Sequence, residues 1–245
     1  MSVPAINITP DPWLERARAF PLSLPEAVIW LAVAYTLPQF IVEPASWAAP
    51  EGWYKHTPQL CIRGVLTVAL LGYFFLYRRG RGDDLGWSLR RFPVDVAWGV
   101  GVSLAMGVVY LAGMALAWLA VIWWYGRPDA FWEFVRKMPM DDLSLGHILA
   151  VCVAAPILEE LWFRSLLYAP LRLYLPRGLA ILFLSAVFAL AHGWPPVTQF
   201  VGGLVFAYAY EKRQTIWASI ILHVAGNSIL FVIGWAVKEG ILRLG

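Results

Sequence analysis

Long apolar runs separated by short polar or charged breaks dominate the chain. Seven of them approach the roughly 20 residues that a spanning helix needs: Leu24–Val42, Gln59–Tyr77, Val94–Tyr125, Gly146–Arg172, Arg177–Trp194, Pro196–Tyr210 and Gln214–Val237. The third holds no charge between Asp95 and Arg127 and is longer than one crossing requires, which predicts tilt or an interfacial extension. The fifth and sixth are short and meet at the turn Gly193-Trp194-Pro195-Pro196, so either could be re-entrant and the count is about 7 (6–8). Phe131–Met138, between the third and fourth runs, mixes aromatic with charged residues and reads as lying along the interface. No period of 20–50 residues repeats. The predicted fold is all-α, a polytopic transmembrane helix bundle forming one integral membrane domain over residues 1–245.

Composition strengthens this reading. Of 245 residues 60% are hydrophobic and only 14% charged, where a soluble domain carries about a quarter; mean hydropathy is +0.64. Fourteen tryptophans suit a chain that meets headgroups, with Trp123, Trp124 and Tyr125 as one belt. A net charge of +3 argues for no nucleic-acid partner. Cys61 and Cys152 lie inside apolar runs and predict no disulfide framework. The first 23 residues lack the apolar core of a cleavable signal. With the N-terminus inside, the cytoplasmic loops hold Arg16, Arg18, Arg78, Arg79, Arg81, Arg90, Arg91, Arg172, Arg177, Lys212 and Arg213, eleven cations. The other side holds six, Lys55, Arg127, Arg136, Lys137, Lys238 and Arg243. The excess favours a cytoplasmic N-terminus, and a prokaryotic inner membrane is the expected location.

Polar residues within the apolar runs concentrate late. The fourth run carries Glu159, Glu160 and Arg164, the fifth His192, the seventh His223 and Asn227. A charge at a helix centre costs about 2.5–3.5 kcal/mol on insertion scales, so the two glutamates are expected to face protein or trapped water. Glu160 and Arg164 are four apart and can pair on one face, while Glu159 points about 100° away. His223 and Asn227 share a face, as do Phe188 and His192. A bundle can bring these groups together.

Such a set contains the parts of acyl-bond hydrolysis. A carboxylate held away from bulk water is a usable general base, an imidazole can share its proton or orient the water, and an amide with a second imidazole can donate to an oxyanion. Glu159, His192 and His223 would also make a His₂Glu zinc set, but there is no HExxH and the ligands come from three helices. No cofactor is expected, with zinc the disfavoured alternative.

The motifs EExxxR at Glu159–Arg164, FxxxH at Phe188–His192 and HxxxN at His223–Asn227 resemble those of the CPBP family, which includes type II CAAX prenyl endopeptidases and bacterial Abi proteins. The resemblance covers residues 146–237 and is carried by three ordered motifs on successive hydrophobic segments. It implies a glutamate-type intramembrane protease in which Glu159 and His192 activate water. His223 and Asn227 then form the oxyanion hole, and Glu160 with Arg164 supports the site. The first 145 residues contribute nothing to the resemblance, so it does not carry over a substrate; the candidates are a membrane-anchored or prenylated C-terminal tail, or an exported-protein anchor. Two other classes stay open from the residues: a proton-coupled transporter, since buried Glu and His also relay protons, and a non-catalytic immunity or scaffold protein. Elsewhere His147 reads as interfacial, and Glu43 and Asp95 as segment ends without special role. Arg63 reads as snorkelling to the headgroups, with gripping of a substrate carboxylate as the lesser alternative. His192 near the non-cytoplasmic end of its run hints at access from the outer face.

Overall fold

A computed structural model describes residues 11–46, 56–127, 145–192 and 197–241. Among them are eight helices and no strand. Helix α1 spans Pro12–Ala19 and α2 Leu24–Ser46; α3 spans His56–Gly72 and runs on through a π-helical turn, Tyr73–Tyr77. Helix α4 is Phe92–Tyr125, α5 Leu145–Leu171, α6 Arg177–Leu190, α7 Val197–Arg213 and α8 Ile216–Lys238. The seven apolar runs thus each become one helix, α2 to α8. The interfacial segment 131–138 and the turn 193–196 lie outside the described residues.

Five helices, α2, α3, α4, α5 and α8, are long and apolar enough to cross a membrane, and the protein is an integral membrane protein. Helix α6 has 14 residues and α7 has 17, about 21 and 25 Å at 1.5 Å per residue, short of the ~30 Å hydrocarbon layer. The 34 residues of α4 would measure about 51 Å. That helix stops at Gly126, whose φ of 65° is a left-handed cap open to glycine. Large side chains such as Phe40, Leu76, Leu104 and Trp123 are exposed around the bundle, as lipid-facing positions should be.

Helix α5 is the axis of the molecule. From Leu161 to Leu171 every side chain is buried, whatever its face, the mark of a helix enclosed by others. Helices α2, α3, α6 and α8 surround it, α7 packs between α6 and α8, and α4 lies outermost against α8. Small residues set the closest approaches. A Cβ on Gly203 of α7 would come within 3.1 Å of the Ser185 backbone of α6, and one on Gly99 of α4 within 3.0 Å of Ile221 on α8.

Four chain segments gather at one end of the bundle. Arg16 donates to the carbonyls of Asp83, Asp84 and Gln214. Arg172 pairs with Asp11 and with Glu211, to whose carboxylate the Tyr168 hydroxyl also donates. The Gly86 carbonyl accepts from Ile216 N at 3.0 Å. Asp95, expected to need no special role, is fully buried; it pairs with Arg213 and accepts from Thr215, fastening the start of α4 to the start of α8. These are the loops that the charge count assigns to one side, so their alternation agrees with the packing.

Candidate active site

Helix α5 is irregular around its paired glutamates. π-helical stretches at Ala150–Ala154 and Leu161–Tyr168 flank the α-helical turn Ala155–Glu160. Pro156 sits at the start of that turn, where a missing N–H is best tolerated next to a widened helix. The widening leaves the Val151 carbonyl to accept from Asn227 Nδ2 at 3.0 Å.

Glu159 and Glu160, read as pointing to different surfaces, grip opposite nitrogens of one imidazole. His223 Nδ1 lies 2.8 Å from Glu160 Oε1, and its Nε2 lies 3.6 Å from Glu159 Oε2. The same Glu159 oxygen is 3.3 Å from His192 Nε2. His192 Nδ1 is 2.7 Å from the Phe188 carbonyl, four residues earlier. A carbonyl only accepts, so that partner assigns the proton to Nδ1 of His192; by the same reasoning Glu160 assigns one to Nδ1 of His223. Both rings therefore turn their second nitrogen on one carboxylate oxygen, and any further proton there is shared between a carboxylate and two imidazoles.

Arg164 is completely buried and completes the support. Its Nη1 lies 3.1 Å from Glu160 Oε1, and its Nη2 donates to the Gly203 carbonyl of α7 at 3.2 Å. Aromatic rings wrap it, with Phe188 4.7 Å and Phe206 5.5 Å from the guanidinium carbon. Phe188 also packs on the His192 ring at 4.4 Å, as the FxxxH spacing predicts, and Phe206 stacks on His223 at 4.5 Å. The structure thus brings Glu159, Glu160, Arg164, His192 and His223 into one cluster. Asn227 lines the same cavity, with its amide held by Val151.

The cavity beside the cluster measures about 950 Å³ and is mostly apolar. Glu159, His192, His223 and Asn227 line it on one side, and Tyr35, Gln39, Gln59 and Arg63 from α2 and α3 on the other. His147, expected at the interface, also lines it, with its ring 6.5 Å from that of Phe231. Arg63 does not snorkel: its guanidinium lies 4.2 Å from the Tyr35 ring. Sequence reasoning overlooked Phe206, Gly203 and Tyr35, because an aromatic, a glycine or a tyrosine in an apolar run carries no spacing that marks it. Among the described residues no group of three or more His, Cys, Asp or Glu side chains is disposed to hold a metal ion.

Residues 141–229 match the family described as type II CAAX prenyl endopeptidase Rce1-like, which bears out the resemblance carried by the three motifs over that part of the chain. UPF0177 protein YaiF of Lactococcus lactis subsp. lactis (strain IL1403) is 30% identical over 98 residues, which are 40% of this chain and 45% of that protein. The chain thus spans less than half the length of that curated relative. No solved structure matches.

Proposed function

We propose that the protein is an intramembrane endopeptidase in which Glu159 activates water. The observation that carries this reading is the single oxygen, Glu159 Oε2, facing two imidazole Nε2 atoms whose Nδ1 atoms are already committed elsewhere. A carboxylate met only by titratable partners can take a proton and pass it on; one locked to arginine cannot.

In the proposed reaction Glu159 removes a proton from water as its oxygen attacks the scissile carbonyl carbon. The oxyanion that forms accepts from the second N–H of the Asn227 amide and from His223 when its Nε2 holds the further proton, Nδ1 donating to Glu160 throughout. Collapse breaks the C–N bond, and His192 delivers to the departing nitrogen the proton taken up by Glu159. Glu160 and Arg164 hold the His223 ring in place. No metal is assigned a role. Substrates are membrane-anchored tails or exported-protein anchors, and the match over residues 141–229 supports prenylated tails within that class. The end carrying α1 and the basic loops is assigned to the cytoplasm of a prokaryotic inner membrane. His192, at the far end of α6, then opens the site toward the other face, its side chain remaining 25% exposed.

The test uses purified protein in nanodiscs with a library of lipid-anchored peptides, new termini being read by mass spectrometry. Cleavage by the wild type that is lost in Glu159→Gln and unaffected by chelators is the expected result. Full cleavage by Glu159→Gln contradicts the mechanism. Loss with EDTA and recovery with zinc would replace the glutamate–water reading with a metal centre, and solute flux in proteoliposomes without any cleavage would replace the enzyme with a carrier.

A further inference from the structure

The wall of the cavity opposite Glu159 comes from α2 and α3, outside residues 141–229. It carries a polar strip of its own, facing the Glu159 cluster across the chamber. Tyr35 and Gln39 are one turn apart on α2, and Gln59 and Arg63 one turn apart on α3; all four line the cavity. Arg63 is the cation of this wall. Among the described residues it forms no ion pair and no side-chain hydrogen bond. Its Nε and the Tyr35 hydroxyl are both buried without a hydrogen-bond partner. The Tyr35 ring under the guanidinium fixes where the fork sits, and Tyr35 is itself held edge-on by Phe163 of α5 at 5.5 Å.

The depth of Arg63 relative to the reacting groups follows from one hydrogen bond. Helices α3 and α5 both end at the basic end of the bundle, so they run parallel. Trp162 Nε1 of α5 donates to Thr67 Oγ1 of α3 at 2.8 Å, and Thr67 in turn donates to the Arg63 carbonyl. Four residues before Thr67 is Arg63; three residues before Trp162 is Glu159. On parallel helices rising 1.5 Å per residue these two lie at nearly the same depth, across an interhelical gap of about 8–10 Å. Arg63 acts on the Glu159 charge across the cavity but has no carboxylate in ion-pair contact, and a partly buried guanidinium so placed is costly to hold. Its planar fork fits a carboxylate with two parallel hydrogen bonds.

We propose that Arg63 is a specificity residue that binds the free terminal carboxylate of a peptide substrate, with the scissile bond presented to Glu159 a short stretch upstream. The protein is then selective for chains that end near the cleaved bond, not for internal loops. This rests on the endopeptidase reading for its purpose, though the binding itself does not require catalysis.

Binding is therefore measured on full-length Glu159→Gln protein in neutral phosphatidylcholine nanodiscs. The probes are N-terminally palmitoylated randomised decapeptides, one set ending as free acids and the other as C-terminal amides. Expected is a preference of about tenfold or more for the acids, lost when Arg63→Gln is added and partly retained with Arg63→Lys. Equal binding of acids and amides with Arg63 intact overturns the proposal, as does an acid preference that survives Arg63→Gln in protein with an unchanged melting temperature. An acid preference that follows internal Asp or Glu rather than the terminus overturns the terminal assignment. In a parallel set of nanodiscs containing phosphatidylglycerol, crosslinking of that lipid to position 63 while acids and amides bind alike would overturn the proposal and give the cation to a lipid headgroup. Active Glu159→Gln would sink the proposed catalysis and leave this binding result readable on its own.

Discussion

Two buried ionic clusters use the same residue types and end in different chemistry. At the basic end, Glu211 and Asp95 each meet arginine, and their other contacts are hydroxyl donors from Tyr168 and Thr215. Each carboxylate there has a permanent positive partner and nothing to exchange, so the cluster staples loops. In the middle of α5 that arrangement is split between neighbours. Glu160 takes the arginine, Arg164, while Glu159 meets only histidines. One residue of offset along a helix thus separates a fastener from a group that can move a proton.

The comparison can be broken by substitutions whose effects it ranks. His192→Ala, which removes the ring that shares the Glu159 proton, is expected to lower turnover by about 10²–10⁴-fold with little change in melting temperature. Glu160→Gln leaves Arg164 buried and unpaired and should cost about 3–5 kcal/mol of stability. Adding Arg164→Met should restore part of that stability; thermal denaturation in detergent reads single and double mutants, and a double mutant less stable than either single would show that the two do not act as a pair. Asn227→Ala leaves His223 as an oxyanion donor and is expected to slow cleavage about 10²-fold. Asp95→Asn loosens the staple between α4 and α8, lowering stability by about 1–3 kcal/mol while turnover per folded molecule holds. A large loss of turnover there would mean that the two clusters are coupled.

Much of the bundle was legible in the sequence because a bilayer imposes it: each of the seven runs is apolar over a helix length, and each became one helix. The composition of the proposed catalytic cluster was legible for a related reason, since Glu159, His192 and His223 are costly in lipid and so must find one another. Its internal wiring was not. A helical wheel turns Glu159 and Glu160 apart, and both still reach His223 because its ring lies between them, Nδ1 toward Glu160 and Nε2 toward Glu159. Asp95 read as a segment end because its partner Arg213 is 118 residues away. Arg63 read as a snorkelling residue because spacing on α3 alone does not say whether its face meets lipid or a cavity. Phe206 had no spacing signal, and its stacking on His223 exists only once α7 packs beside α8.

The most direct measurement exchanges each of the two adjacent carboxylates for its isosteric amide and follows cleavage per folded molecule beside the melting temperature. Glu159→Gln should abolish cleavage at nearly unchanged melting temperature, and Glu160→Gln should lower the melting temperature while its folded fraction keeps measurable cleavage. The reverse pattern, a stable Glu160→Gln without activity beside an active Glu159→Gln, would contradict the assignment of Glu159 as the group that activates water.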